Sequence, residues 1–176
     1  MKNEASGTFA VRSRLTCARQ RWPAVRLALE LDVPVSKKRL WEFVSDLGTF
    51  LVTDPYHRRM ISMRKPLKPG DHLAIEHGLL GVSFFRFGRL LGWSEGNGYS
   101  FSDLSARGPR CGFPHIFEVA VETDRESPRE CSKLRIEVKG RWTARLVPIA
   151  LRDWWLNFTC RRHLRLLHRK LEELYT

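Results

Sequence analysis

Hydrophobic and polar residues alternate along much of the chain, and the alternation changes period three times. Val25, Leu27, Leu29, Leu31 and Val33 alternate with Arg26, Ala28, Glu30 and Asp32. A period of two with one apolar face predicts a half-buried strand, which Pro34 ends. Ser36 then stands at a helix N-cap position, and Leu40, Trp41, Phe43, Val44 and Leu47 follow at helical spacing. Gly48 is expected to break that helix. A second short helical or irregular segment runs from Thr49 to Asp54 and stops at Pro55.

The middle of the chain returns to period two. Strands are predicted over Met60–Lys65, His72–His77, Val82–Trp93 and Tyr99–Ser105. The turns between them include Lys68-Pro69-Gly70-Asp71 and Glu95-Gly96-Asn97-Gly98. Gly88, inside the long aromatic strand, predicts a bulge or tight bend. Two further strands are centred on Phe117–Val121 and Leu134–Gly140, the latter running on toward Trp142 or Ala144. From Ile149 to Tyr175 there is neither Gly nor Pro. Leu151, Trp154, Trp155, Phe158, Leu164, Leu167, Leu171 and Leu174 recur every three or four residues. This predicts an amphipathic helix of about seven turns.

Short turns between strands imply an antiparallel meander, and its apolar face needs a cover. Only the last helix is large enough. The expected fold class is therefore α+β: a curved antiparallel sheet wrapped around a long C-terminal helix, with two short helices after the first strand. A bent sheet gripping one helix leaves room for a ligand cavity.

The opening Leu29-Glu30-Leu31-Asp32-Val33-Pro34-Val35-Ser36, the helix Trp41-Glu42-Phe43-Val44-Ser45-Asp46, the segment Leu67-Lys68-Pro69-Gly70-Asp71 and the strand-then-long-helix ending carry a resemblance. Over residues 22–175 the chain resembles the START/polyketide-cyclase (SRPBCC, Bet v 1-like) superfamily. The resemblance implies the helix-grip fold and a hydrophobic small-molecule ligand such as a lipid, sterol, polyketide, plant hormone or quinone. Some members are cyclases or hydrolases, but the superfamily shares no universal catalytic motif. Residues 1–21, rich in Arg and poor in acid, are expected to form a flexible basic tail, and residues 22–176 the domain.

Strand parity names the inward side chains. The expected ligand-binding set is Ile75, His77, Phe85, Phe87, Tyr99, Phe101, His115, Phe117 and Trp142 from the sheet, with Trp155 and Phe158 from the helix. His77, His115 and Asp103 are the candidate acid/base groups, Asp103 beside Arg89 or a histidine. Two functions follow: binding or transport of a hydrophobic molecule, or a cyclase- or dehydratase-like enzyme using those residues. Each of these histidines is equally satisfied by a backbone carbonyl in a filled core.

Composition narrows the partners. At 43% hydrophobic the chain can build a core, and it carries a net charge of +12. Arg152, Arg161, Arg162, Arg165, Arg169 and Lys170 give the last helix a basic face suited to an anionic membrane surface, or to solvent alone. Nucleic acid fits less well, because the aromatics share parity with aliphatics and so belong to a core. No apolar run approaches the roughly 20 residues of a membrane span, and no secretory signal is apparent. The cysteines at 17, 111, 131 and 160 form no paired motif, which points to a reduced, cytoplasmic setting. The six histidines show no metal-binding spacing, and no phosphate or dinucleotide loop is present. Neither metal nor cofactor is expected from these patterns.

Overall fold

The computed structural model describes residues 11–17, 24–62, 66–79, 81–108, 112–123, 131–144 and 146–173. Its chain order is β1 (Val11–Cys17), β2 (Ala24–Val33), α1 (Lys37–Ser45), α2 (Leu47–Phe50), a 3-10 turn (Leu51–Thr53), β3 (His57–Ser62), β4 (His72–Leu79), β5 (Val82–Ser94), β6 (Gly98–Ser105), β7 (His115–Thr123), β8 (Ser132–Arg141) and α3 (Ile149–Glu173). The strands form one antiparallel sheet in the order β1-β2-β8-β7-β6-β5-β4-β3.

The period-two segments become strands because their apolar positions all reach one core. Val25, Leu29, Leu31 and Val33 of β2 are buried, as are Leu134 and Ile136 of β8 and Phe117, Val119 and Val121 of β7. Ser36 caps α1, its hydroxyl accepting from the Arg39 N–H at 3.3 Å. Leu40, Trp41, Phe43 and Val44 turn inward from that helix. At the hairpin between β5 and β6, Gly96 takes a positive φ of 72°. There the Glu95 carboxylate accepts from the indole N–H groups of both Trp41 and Trp93.

The structure corrects three expectations. Residues 11–17 are not tail but an edge strand, in unbroken register with β2 from Val11↔Leu31 to Cys17↔Val25. Strand pairing runs through backbone groups, so an Arg-rich segment can supply it and cover the edge of β2. Residues 1–10 lie outside the described residues. The helix break is Asp46 rather than Gly48. The Asp46 carboxylate leaves α1 and caps α2, accepting from the Gly48 N–H and the Thr49 hydroxyl. The irregularity in β5 falls between Leu90 and Gly92, not at Gly88, which pairs in register with Leu73.

That last difference reverses part of the predicted inner face. Arg86, Gly88 and Leu90 point inward on β5, while Phe85 and Phe87 are 42% and 51% exposed. Parity was assigned by apolarity, and here a charged residue holds the inner position. α3 works in two halves. Leu164, Leu167 and Leu171 pack against the core, whereas Trp155, Leu156, Thr159, Cys160 and His163 face a cavity.

Candidate functional site

The cavity has a volume of about 230 Å³ and lies between the sheet and the N-terminal half of α3. Leu27 and Leu29 of β2, Phe117 of β7, and Ile136 and Val138 of β8 supply its apolar wall. Trp142, Trp155 and Leu156 also line it. Tyr56 ties the rim to α3. Its ring stacks on Trp155 with centroids 5.4 Å apart, and its hydroxyl lies 3.0 Å from that of Thr159.

The polar lining is Asp54, His57, His77, Arg86, His115 and His163. Sheet register assembles most of it. His57 on β3 pairs opposite His77 on β4, and Asp103 on β6 pairs opposite His115 on β7. Directly opposed residues sit close enough for their side chains to interact. Gly140 of β8 stands opposite His115, where an added Cβ would come within 2.6 Å of both the His115 Cβ and the Pro114 carbonyl. The absence of a side chain at 140 thus permits the position of His115.

Asp103 organises this cluster from behind. It is fully buried, and its Oδ1 accepts from Arg86 Nε at 2.5 Å. Arg86 Nη2 also donates to the backbone carbonyls of Asp103 and Phe113. Asp103 Oδ2 lies 3.5 Å from Nε2 of both His77 and His115, and it makes no hydrogen bond. Burial alone would raise the Asp103 carboxyl. The polar contact with His77 and the fixed charge of Arg86, with His115 close by, outweigh burial and hold it well below the usual carboxylate range.

The imidazoles are oriented by the backbone. Nδ1 of His57, His77 and His115 lies 3.1, 3.2 and 2.9 Å from the carbonyls of Leu51, Ile75 and Phe113. A carbonyl only accepts, so each Nδ1 carries hydrogen, and in a neutral ring so anchored Nε2 is the acceptor. Burial pushes His57, His115 and His163 below the ordinary histidine pKa, which favours those neutral rings. His163 Nε2 lies 3.1 Å from the Thr53 hydroxyl. Burial raises the Cys160 thiol, so it stays protonated and poorly nucleophilic. The arrangement offers hydrogen-bond acceptors and weak bases on an otherwise apolar wall.

No protein-family model matches the sequence, and no curated protein matches it. Solved structures match the fold. Ara h 8.0201 superposes with a TM-score of 0.60 at 12% identity, covering 85% of this chain and 99% of its own. A START superfamily protein from Mycobacterium smegmatis gives 0.61 at 13% identity, covering 85% and 98%. TTHA0849 from Thermus thermophilus gives 0.59 at 13% identity, covering 85% and 95%. The chain has the helix-grip fold seen in these structures.

Within the helix-grip frame the expected site residues separate into three groups. His77, His115, Phe117, Trp142 and Trp155 line the cavity. Ile75, Tyr99 and Phe101 are buried in the core beside it. Phe85, Phe87 and Phe158 turn outward, Phe158 stacking on the exposed Trp154. The three acid/base candidates do meet, with Arg86 rather than Arg89 as the carboxylate's partner. His57, Asp54, Arg86, Phe84, Phe113 and His163 join the site without any local motif to announce them, because cross-strand register brought most of them in. Arg152, counted on the basic face of α3, is instead buried and paired with Asp153. Arg161, Arg162, Arg165 and Arg169 are exposed. Among the described residues no helix is long and apolar enough to cross a membrane.

Proposed function

We propose that the protein binds a compact hydrophobic molecule bearing a hydroxyl group in the cavity between sheet and α3. The observation that carries this is the pairing of an apolar wall with one polar corner, where the backbone-anchored imidazoles of His77 and His115 line the cavity in front of the buried Asp103. A hydroxyl on the ligand satisfies an imidazole nitrogen that is otherwise costly to bury. The volume, about 230 Å³, is small against the roughly 300–1,000 Å³ of drug-sized sites, and so favours a ring-sized ligand over a long acyl chain. A second use of the same groups, as a cyclase- or dehydratase-like acid/base pair, is favoured by the neutral, backbone-anchored imidazole of His115.

Trp142 and Trp155 line the cavity, so their fluorescence reports occupancy. Titration with 2-naphthol should quench it saturably, with naphthalene binding about three- to tenfold more weakly for want of one hydrogen bond. Val138→Phe, which fills the cavity from β8, should abolish both signals while leaving the far-UV spectrum unchanged. Absent saturation, or equal binding of the two probes, would refute the proposal.

A further inference from the structure

Potential ligand atoms gather at one corner of the cavity, where His57 and His77 line the wall and Asp103 lies behind them. One donor atom from each of His57, His77 and Asp103 lies within 4.8 Å of the others, and all three side chains are buried. Nδ1–H of each histidine is engaged by a backbone carbonyl, which leaves Nε2 of each ring free to act as a ligand once it carries no proton. Arg86 serves Oδ1 of Asp103, and Oδ2 is left over, fully buried, 3.5 Å from His77 Nε2. Acceptors that face one another without a hydrogen between them destabilise a buried site unless a cation or a proton lies among them.

We propose that His57, His77 and Asp103 bind one divalent first-row transition ion, of which Zn²⁺ is the representative, with its remaining coordination positions open to the cavity. Two imidazole nitrogens and one carboxylate oxygen are a donor set suited to such ions, and three protein ligands leave room for an exogenous one. Ligands at about 2.1 Å from a tetrahedral ion are roughly 3.4 Å apart. The Nε2 of His77 and Oδ2 of Asp103, at 3.5 Å, already have that spacing. His57 closes the set with a side-chain adjustment. The carbonyls of Leu51 and Ile75 act as the outer partners that fix tautomer and ring orientation in metal-binding histidines. Because Arg86 already balances the carboxylate, a bound ion makes the centre net positive. That selects an anionic oxygen on the cavity ligand, a phenolate, enolate or carboxylate. With the ion bound, His77 is occupied and His115 remains for the ligand; the ion site rests on the ligand proposal only in where its open positions point.

The test uses tag-free, full-length protein stripped with EDTA. Co²⁺ titration should give saturable visible d–d absorption at one equivalent, displaced by Zn²⁺. Zn²⁺ should also raise the thermal midpoint reversibly, a readout that needs no variant. His57→Gln and His77→Ala should each weaken Co²⁺ by at least about tenfold, while His72→Ala, on the exposed side of β4, should leave it unchanged. No saturable absorption, or absorption that survives both variants, overturns the proposal. So does an imidazolium at His77 occupying the same gap, seen as an Nε2–H signal that persists with added Zn²⁺. Naphthol binding without a Co²⁺ site sinks this proposal alone, and a Co²⁺ site without naphthol binding sinks the other alone.

Discussion

Arg86→Met tests the central electrostatic element of the site. The substitution keeps much of the side chain's length and removes its charge. In the native protein Arg86 and Asp103 are paired at 2.5 Å, with side-chain exposures of 11% and 0%. Loss of Arg86 leaves a fully buried carboxylate without its permanent countercharge. It also removes donors from the carbonyls of Asp103 and Phe113. Breaking one side of a buried pair costs about 3–5 kcal/mol. For a chain of this size each kcal/mol moves the midpoint by about 2–4 °C, so the expected drop is roughly 6–20 °C. Scanning calorimetry and urea unfolding at neutral pH with chelator present measure it. Adding Asp103→Asn to the Arg86→Met variant removes the stranded charge and should recover about 2 kcal/mol or more. A loss below about 1 kcal/mol for Arg86→Met, or no recovery in the double variant, would show that the carboxylate does not depend on Arg86.

Other consequences are equally direct. The Tyr99 hydroxyl is buried without a partner between aromatic rings, so Tyr99→Phe should raise stability by about 1 kcal/mol in urea unfolding. Gly140→Ala should cost about 1–3 kcal/mol and displace the His115 ring, visible as a shifted imidazole NMR signal. Burial lowers His57, His115 and His163, so the unfolded chain takes up protons before the native one as acid is added. Their contribution is complete above the unfolded value of about 6.5 and is lost as pH falls from there through the lower native values, so the thermal midpoint should decline as the pH is taken below about 6.5. Trp154, Phe158, Arg161, Arg162, Arg165 and Arg169 form one exposed stripe on α3. Sedimentation with phosphatidylserine vesicles should therefore be salt-sensitive, and Arg162→Gln/Arg165→Gln should weaken it by about 2 kcal/mol. Salt-insensitive sedimentation would count against an electrostatic contact.

The fold was legible because its signals are local and redundant. Alternation in β2, β7 and β8, the Ser36 cap and the unbroken run behind α3 each predict an element without reference to the others. β1 was hidden because an edge strand needs little apolar content, and the arginines at 12 and 14 read as tail. The site was legible only by halves. His77, His115 and Asp103 shared parity with core residues and could be placed on the inner face. Arg86 broke the apolar rule that assigns parity, and so β5 was turned inside out. His57 and His163 are distant in sequence and become neighbours of the site only through β3–β4 pairing and the packing of α3, which no spacing rule reveals.

The seam between β2 and β8 has a kinetic consequence. Arg135 and Glu30, joined across it, are 105 positions apart, and β8 is the last strand to leave the ribosome. Closing so long a loop is slow compared with forming the hairpins of the meander. Leu27 and Leu29 lie on one side of the seam, Ile136 and Val138 on the other, and all four line the cavity. The binding chamber therefore does not exist until β8 has been made and has met β2. A cavity ligand would favour only a chain in which β2 and β8 are paired, and would slow unfolding by holding that seam shut.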